Sequence, residues 1–394
     1  MRIPRLAALW AVLAIVLAAC TGGGGSPSAG GSGGTATACK VGVSWNNYSQ
    51  PRWAATDQPN IKSAVESAGG TYTEAFAEDD ATKQLTDVEN LINQDINVLI
   101  LLAKDLTTIG PALETAANAG VPVIAYDRLV EDENVLYITF DNVGVGAAEA
   151  TAMFDKVPTG TYVLIKGDPG DPNASTFLPQ GWNDAGLQEK IDSGDITVFD
   201  EQFTPDWSPE TAQNNMEAII DAANAENVQI DAVLAENDST ALGVAAALQA
   251  KSYDQIPVSG QDGDPANLNN VALGWQYVDV WKNSNELGKA GGEAALQLCA
   301  GTAIADVDLS TIDDQLDDTV QPDDLTAPSD FVTPGLDGLP DTGDENTVKS
   351  FIFKPTPLTA ETLNLPLDAG WYATEEQVCE GVTAESPGHA ACGL

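Results

Sequence analysis

Arg52 and Arg128 are the residues whose type and position most clearly suggest chemistry. The sequence contains four arginines against 59 acidic residues, and the other two arginines lie within the first five residues. Trp53 directly follows Arg52, and Asp127 directly precedes Arg128. A guanidinium offers five donors in a planar fork, which lysine cannot replace at a bidentate site. Such a fork beside an indole ring or a carboxylate suits a ligand rich in hydroxyl groups, and ordinary surface ion pairs are the alternative.

Further polar and aromatic side chains occupy similar positions in the second half of the chain. Several polar residues follow short apolar runs that we interpret as strands, and one tryptophan stands between turn residues. An indole ring covers the apolar face of a sugar ring, whereas carboxylates and amides bind its hydroxyl groups. These candidates are Asn173, Trp207, Asn237, Gln261 and Asp262.

Two of these candidates have structural alternatives. Trp53 begins a predicted helix, so its ring could simply belong to a hydrophobic core. Asn237 precedes Asp238 and Ser239, which are residue types that favour helix N-caps. We expect Asp238 or Ser239 to cap the helix while the Asn237 side chain points into a cleft.

No cofactor or metal site is predicted. Gly144-Val145-Gly146 lacks the third glycine of a dinucleotide-binding fingerprint, and no ribose-binding acid lies at the usual distance. Asp337, Asp341 and Asp344 are spaced unlike an EF-hand, so a solvated turn is the interpretation we favour over a calcium loop.

The first 38 residues predict export and membrane anchoring. Residues 1–20 combine a basic start with an apolar run too short to span a bilayer, and they end in Leu17-Ala18-Ala19-Cys20. This ending resembles the lipobox of bacterial lipoproteins, which implies lipidation of Cys20; a plain secretory signal is the alternative. Residues 21–38 are almost entirely small and polar and predict a flexible tether. The expected location is the outer face of the cell membrane.

The charge of the chain excludes some classes of partner. The formal net charge is −43 at pH 7, so nucleic acid and anionic lipid are poor partners. An excess of acid on this scale fits either adaptation to high salt or solubility outside the cytoplasm. The body that follows the tether is long enough for two ordinary domains.

Four cysteines follow Cys20, and an even count in an exported protein predicts two disulfides. Three connectivities are possible for four cysteines. We favour Cys379–Cys392, which closes a short C-terminal loop, and therefore Cys39–Cys299. Zinc binding is the competing interpretation, but the spacing fits no zinc motif and the sequence contains a single histidine.

Short apolar runs alternate with amphipathic stretches along the body. Apolar strands separated by helices predict a parallel sheet covered on both faces, here in two doubly wound α/β units. The predicted strands are 41–45, 71–76, 98–102, 121–126, 136–140, 162–166, 197–203, 232–235, 257–259, 272–276 and 351–353. The predicted helices are 53–68, 82–93, 107–119, 176–193, 209–223, 239–250 and 280–298.

This pattern also predicts a division of the body into lobes. Residues 39–141 with 275–301 form the predicted N-terminal lobe, and 142–274 form the C-terminal lobe. Residues 302–394, an acidic segment and a cysteine-bearing tail, are expected to pack mainly on the C-terminal lobe. Ligands of such folds bind at the carboxyl ends of the strands, so a cleft between the lobes is the predicted site.

The order of motifs resembles a known family. The motifs are Val41-Gly42-Val43, Pro51-Arg52-Trp53, Ala125-Tyr126-Asp127-Arg128, Phe140-Asp141-Asn142, Glu236-Asn237-Asp238 and Ser259-Gly260-Gln261-Asp262. Over residues 40–354 they resemble the periplasmic sugar-binding proteins of ABC importers, and most of all the D-xylose-binding proteins. The resemblance implies two Rossmann-like lobes that are joined by three crossing strands and close on a pyranose.

The resemblance also implies roles for individual residues. It places sugar contacts on Arg52, Asp127, Arg128, Asn173, Asn237, Asp262 and Lys282, with Trp53 and Trp207 as aromatic walls. Trp45-Asn46-Asn47, Trp281, the acidic insertion and the cysteine-bearing tail depart from the family pattern, and these departures bear on which sugar is preferred.

The predicted function is capture of D-xylose or a similar monosaccharide by a monomeric, lipid-anchored protein that delivers it to an ABC permease. A sugar sensor that signals to a chemoreceptor or kinase would share the same cleft. An exported enzyme could use Asp127 and Asp262 as acid and base, but the cationic neighbours Arg128 and Lys282 depress carboxyl pKa values. A repressor of the same fold is excluded by the leader and by the lack of a helix-turn-helix.

Overall fold

The computed structural model describes residues 39–310 and 349–394, apart from positions 49, 107, 131 and 133. The predicted leader and tether, the lipidation site Cys20 and the residues Asp337, Asp341 and Asp344 lie outside the described residues. Among the described residues, no helix is both long and apolar enough to cross a membrane.

Strands and helices alternate through most of the described chain. The strands are β1 Lys40–Trp45, β2 Thr71–Phe76, β3 Val98–Leu101, β4 Val123–Tyr126, β5 Val135–Phe140, β6 Gly160–Lys166, β7 Ile196–Phe203, β8 Ala232–Ala235, β9 Gln261–Asp262, β10 Asp279–Trp281, β11 Lys349–Phe353 and β12 Thr356–Leu358. The α-helices are α1 Gln58–Ser67, α2 Ala81–Ile92, α3 Gly110–Ala119, α4 Asn142–Lys156, α5 Leu178–Asp184, α6 Leu187–Ser193, α7 Pro209–Glu226, α8 Asp238–Ala250, α9 Pro265–Leu273, α10 Ser284–Cys299, α11 Asn364–Asp368 and α12 Glu375–Val378.

Short turns of other helical types complete these elements. π-helical turns occupy Trp53–Asp57 and Asn173–Phe177, directly before α1 and α5. Turns of 3₁₀ helix occupy Pro205–Trp207, Ile304–Asp306 and Pro387–His389.

The first lobe is built on a six-stranded parallel sheet with the order β11-β5-β4-β3-β1-β2. Every residue of β3 and β4 is buried, as expected for central strands covered by helices on both faces. One face packs against α1 and α10, and the other packs against α2 and α3. The predicted α/β class with parallel sheets is confirmed.

The second lobe contains two smaller sheets. One has the parallel order β7-β6-β8, and the other has the order β12-β10-β9 with β12 antiparallel to β10. The predicted strand at 257–259 is reduced to a single bridge between Val233 and Val258. The chain crosses between the lobes three times: from β5 to α4, from β10 to α10 and from β11 to β12.

The structure corrects the expected elements near residue 275. The predicted strand at 272–276 is wrong, because α9 continues to Leu273 and ends at Gly274, whose φ of 90° suits a residue without a side chain. The predicted helix at 280–298 begins instead as β10, and α10 starts only at Ser284.

The strand pairing also differs from the expected division into lobes. Residues 275–301 do not all belong to the first lobe, because β10 pairs with β9 and β12 of the second lobe. The tail is divided as well: β11 joins the first sheet, whereas Leu358, Leu363 and Val378 share a core with α9. Short strands at the crossings carry little sequence pattern, so the expected boundaries after residues 274 and 301 both fall too early.

Both predicted disulfides are present. Cys39, directly before β1, is bonded to Cys299 at the end of α10, and Cys379 is bonded to Cys392. The first bridge ties α10 to the start of the first strand, and the second closes a loop within the C-terminal tail.

We expect removal of the long-range disulfide to cost more stability than removal of the short one. The bridges span 260 and 13 residues, and a cross-link stabilises mainly by restricting the unfolded chain. Cys379→Ala/Cys392→Ala should lower the free energy of unfolding by about 3 kcal/mol, and Cys39→Ala/Cys299→Ala by about 5 kcal/mol. Denaturant unfolding of both double variants measures the difference, and equal losses would contradict this account.

Candidate ligand-binding site

The cavity between the two lobes brings together all nine residues that the sequence predicts as ligand contacts. It has an empty volume of about 270 Å³, part of it open to solvent. Its lining residues are Gln50, Arg52, Trp53, Asp127, Arg128, Asp171, Asn173, Trp207, Asn237, Gln261, Asp262 and Lys282. Polar and aromatic side chains from both lobes therefore face one small space.

Arg52 is the electrostatic centre of the cavity. Its guanidinium lies within 3.3 Å of three carboxylates: those of Asp57 and Asp127 in the first lobe and that of Asp262 in the second. Burial alone would lower the pKa of Arg52, but these carboxylates raise it well above its usual value. This fully buried fork joins the two walls of the cleft.

Asp127 lies where β4 ends and adopts a φ of 65°, which is uncommon for a residue with a side chain. The hydroxyl groups of Tyr137 and Thr139 donate to its carbonyl oxygen and stabilise this conformation. Burial would raise the pKa of the Asp127 carboxyl, but Arg52, Lys282 and Arg128 outweigh it and hold the pKa below its usual value. Asp127 is thus an ionised acceptor at neutral pH.

Arg128 forms a second contact between the lobes. Its Nε lies 2.9 Å from Oδ2 of Asp171, without the angle of a hydrogen bond, and its Nη1 donates to the carbonyl of Ala103 at 3.0 Å. Lys282, in the crossing between β10 and α10, lies 3.4 Å from Oδ1 of Asp262. The predicted facing of Asp262 and Lys282 is confirmed.

The two tryptophans of the cavity are buried but held differently. The Trp53 ring stacks against the Arg52 guanidinium, with the Cζ atom 4.1 Å from the ring centroid. Trp207 donates its indole N–H to Asp171 at 3.2 Å and follows Asp206 in a turn where both residues have positive φ. Gly167 lies directly under the Trp207 ring and leaves no room for a side chain.

A π-helical turn positions a cavity residue in each lobe. Arg52 precedes the turn Trp53–Asp57, and Asn173 begins the turn Asn173–Phe177. One extra residue per turn re-aims side chains, and such turns are frequent at functional sites. The Asn173 side chain accepts a hydrogen bond from Asn142 at 3.0 Å, which links it to the first crossing between the lobes.

The expected cap of α8 is wrong. Neither Asp238 nor Ser239 caps the helix; the cap is Asn237, whose side chain accepts the Thr240 N–H at 2.9 Å and also lines the cavity. The Asp238 carboxylate is engaged elsewhere, because it accepts the backbone N–H groups of Gly263 and Asp264. Asn237 caps the helix instead.

Three further residues line the cavity, of which Gln261 is already a candidate from the sequence and Gln50 and Asp171 are new. Gln50 precedes Pro51, Asp171 lies in the loop after β6, and Gln261 forms β9 with Asp262. Gln261 donates to the Glu236 carbonyl at 2.8 Å, while its Oε1 is buried without a protein partner. The position of Gln261 at a strand end is a usable signal, whereas nothing in the sequence marks Gln50.

The turn after β9 concentrates carboxyl groups. Burial, followed by the neighbouring Asp262, raises the pKa of Asp264 to about 7. Burial also raises the pKa values of Asp238 and Asp279 well above their usual range, and the Asp279 carboxylate adds to the effect on Asp238. Within the described residues, no cluster of histidine, cysteine or acidic residues could hold a metal ion.

We expect the protein to lose stability as the pH rises from about 4 to about 7. An unfolded Asp264 ionises near pH 3.9, whereas the folded carboxyl keeps its proton up to about pH 7. The folded state therefore binds more protons in this window, and the stabilisation is lost as the pH rises through the folded pKa. Thermal unfolding between pH 4 and pH 8 measures this slope.

A matched pair of variants isolates the contribution of Asp264. Asp264→Asn should make the melting temperature less dependent on pH, because each pKa unit corresponds to about 1.4 kcal/mol. Asp221→Asn removes a carboxylate that pairs with Lys251 on the surface and should leave the slope unchanged. A slope that is identical in all three proteins would contradict the raised pKa.

Together these groups offer both surfaces that a sugar needs. The carboxylates accept and the guanidinium and ammonium groups donate, which matches hydroxyl groups that do both. The indoles supply large apolar area. The residues touching the cavity include three cations, Arg52, Arg128 and Lys282, and three carboxylates, Asp127, Asp171 and Asp262, so an uncharged ligand leaves no charge unpaired.

Comparison with known proteins adds independent information. Residues 41–303 match a family model of the periplasmic binding protein domain. The chain is 34% identical over 264 residues to the D-xylose-binding periplasmic protein of Escherichia coli, which covers 66% of this chain and 78% of that protein. It is 30% identical over 292 residues to the multiple sugar-binding periplasmic receptor ChvE of Rhizobium radiobacter, covering 69% and 81%.

A solved structure shows the same fold. It is that of an ABC transporter solute-binding protein from Clostridium phytofermentans with bound β-D-glucose, and it has a TM-score of 0.72 and 30% sequence identity. The match covers 86% of this chain and 99% of that one.

Proposed function

The chain belongs to the family of periplasmic binding proteins, and from this premise we propose that it captures D-xylose or a similar monosaccharide outside the cytoplasm for an ABC permease. The observation that carries the proposal is the gathering of guanidinium forks, carboxylates and indole rings in one cavity between two lobes. The names of the relatives, which include xylose-binding and multiple sugar-binding proteins, support the substrate class.

The proposed ligand is uncharged and cyclic. Arg52 already faces three carboxylates, so an anionic ligand would add a fourth negative charge around one guanidinium. A pyranose instead shares the existing donors and acceptors through its hydroxyl groups. Buried polar groups left unpaired by a wrongly placed hydroxyl would cost roughly 1–3 kcal/mol each, which is the proposed source of selectivity.

The proposed mechanism is closure of the two lobes around the sugar. The ion pairs that join the lobes include Arg52 with Asp262, Arg128 with Asp171, and Lys104 with both Asp168 and Asp206. A sugar that contacts both walls of the cleft would favour the same closed arrangement. The loaded, closed form then docks on the permease.

We also propose that the protein is a monomer anchored through a lipid on Cys20.

We expect titration calorimetry to show one saturable site for a monosaccharide. The panel should contain xylose, arabinose, ribose, galactose and glucose, and the sugar should be recovered unchanged after incubation with the protein. Sugar binding should also change the intrinsic tryptophan fluorescence, because Trp207 lines the cavity. Trp207→Phe should reduce this change, whereas Trp275→Phe, which replaces a partly buried indole outside the cavity, should leave it intact.

Two outcomes would overturn the proposal. If no sugar of the panel binds at millimolar concentration, the ligand class is wrong. If the pure protein hydrolyses or isomerises a sugar, an enzymatic role replaces simple capture.

A further inference from the structure

The C-terminal tail reaches the turn that carries the cavity carboxylate Asp262. Trp371 donates its indole N–H to the carbonyl of Gly263 at 2.6 Å. The Tyr372 hydroxyl forms a short hydrogen bond with Oδ1 of Asp264. The two tail residues thus hold the two positions that directly follow Asp262, although neither tail residue lines the cavity.

The turn needs this support because its backbone is unusual. Asp262 has a φ of 112° and Gly263 a φ of 85°, and the first value is strained for a residue with a side chain. A Cβ atom at Gly263 would lie 2.5 Å from Trp281 and 3.3 Å from Nε1 of Trp371. Such a conformation persists only where surrounding contacts determine it.

Buried carboxylates hold the same turn from the opposite side. The Gly263 N–H donates to Asp238 at 3.0 Å and to Asp279 at 3.2 Å, and the Asp264 N–H donates to Asp238 at 2.7 Å. The turn is therefore clamped between these two carboxylates and the tail. The tail supplies the contacts to the carbonyl of Gly263 and to the Asp264 side chain.

The position of Asp262 matters for closure of the cleft. Its Oδ1 accepts the Arg52 Nη1 donor at 3.2 Å and lies 3.4 Å from the Lys282 ammonium. A small rotation of the turn would break both contacts and would aim the carboxylate away from the cavity. A misplacement of about 1 Å in such a site is enough to cost a large part of its function.

The tail is firmly attached to the second lobe. Trp371 packs edge-on against Trp281 with ring centroids 5.6 Å apart, and its core neighbours include residues of α9 and α12. The Cys379–Cys392 disulfide closes the chain that follows. Both tail residues lie beyond residues 41–303, the part that matches the family model.

We propose that Trp371 and Tyr372 are positioning residues, which hold the turn Asp262–Asp264 so that the Asp262 carboxylate faces the sugar and Arg52. The inference rests on the proposed function and deepens it, because it assigns the tail a part in affinity for the same site. The tail residues act through Asp262 and do not touch the ligand.

The test measures hydrogen exchange of the Gly263 and Asp264 amides in the ligand-free full-length protein, together with monosaccharide affinity. Tyr372→Phe removes one oxygen atom, and Trp371→Phe removes the indole donor while keeping an aromatic ring. Each variant should raise exchange at these two amides by at least about tenfold and weaken sugar binding by about tenfold, with a melting temperature close to that of the parent.

A matched control separates positioning from general stability. Tyr253→Phe removes a hydroxyl that accepts the Ile230 N–H at 2.9 Å in the same lobe, away from the cavity. It should leave both the exchange of Gly263 and the affinity unchanged. A double-mutant cycle adds a sharper criterion: in an Asp262→Asn background, Tyr372→Phe should no longer change the affinity.

The outcomes distinguish this inference from the proposed function. Unchanged exchange at Gly263 and Asp264 in both variants overturns the positioning role, whatever happens to affinity. If Tyr372→Phe costs as much affinity in the Asp262→Asn background as in the parent, the role is overturned as well, because the tail would then act elsewhere. If exchange rises as expected but no monosaccharide binds to the parent protein, the clamp on the turn stands and the sugar-binding function fails.

Discussion

Arg52→Ala is expected to abolish measurable binding of any monosaccharide. The substitution removes the donor fork from the cavity and leaves Asp57, Asp127 and Asp262 without their shared cation. Hydrogen bonds to charged groups contribute roughly 1.5–3 kcal/mol each, so the loss of two donors to the sugar would weaken binding by about two to four orders of magnitude. The contact between the lobes through Asp262 is lost as well. Calorimetric titration at millimolar sugar measures the result.

Two further variants keep the Arg52 prediction testable if the alanine variant folds poorly. Arg52→Lys keeps the positive charge but cannot reach three carboxylates with a planar fork, so we expect it to fold and to bind at least about 100-fold more weakly. Lys251→Ala removes an exposed cation paired with Asp221 and should bind as the parent does. Parent-like affinity of Arg52→Lys would show that the fork does not contact the sugar.

The sequence predicts the fold well where each element carries its own pattern. The six buried residues of β5 and the four of β3 are apolar runs long enough to indicate covered strands, and α2 begins with an acidic cap. The cavity residues Arg52, Asp127 and Asp262 are predictable for the same reason, because each follows an apolar run that is predicted to be a strand. Side chains at the carboxyl ends of parallel strands meet at one edge, whatever the details of the packing.

What the sequence does not reveal depends on contacts between distant segments. The strand β9 contains only Gln261 and Asp262, too few residues for a periodicity, and it exists because β10 lies beside it. Arg52 pairs with Asp262, which lies 210 positions away in the chain. Charges that are adjacent in the sequence, such as Asp127 and Arg128, suggest instead that they pair with each other. The failure of Asp238 to cap α8 has the same origin, since the Asp238 carboxylate accepts the backbone N–H of Gly263 in a distant turn.

The tail illustrates this limit most clearly. Trp371 and Tyr372 stand in a segment whose sequence shows little periodicity, and only the folded chain brings them within hydrogen-bonding distance of the turn after Asp262. The two disulfides, in contrast, are predictable from the sequence, because four cysteines in an exported protein allow only three connectivities.

Arg128→Ala should weaken sugar binding far more than Lys104→Ala, although both residues form ion pairs between the lobes. Arg128 is buried and lines the cavity, so its loss removes charged donors that would contribute roughly 1.5–3 kcal/mol each to sugar binding, and we expect the affinity to fall at least about 100-fold. Lys104 does not line the cavity, and its contacts with Asp168 and Asp206 are partly solvated.

The Lys104 variant is therefore the matched control for Arg128. Partly exposed ion pairs contribute about 0.2–1 kcal/mol, so Lys104→Ala should change affinity by no more than about fivefold, by weakening the closed state alone. Because both substitutions remove one cation together with its ion pairing between the lobes, a difference between them reports contact with the sugar and not the change in charge. Equal losses in the two titrations would mean that closure of the lobes, and not the guanidinium of Arg128, governs affinity.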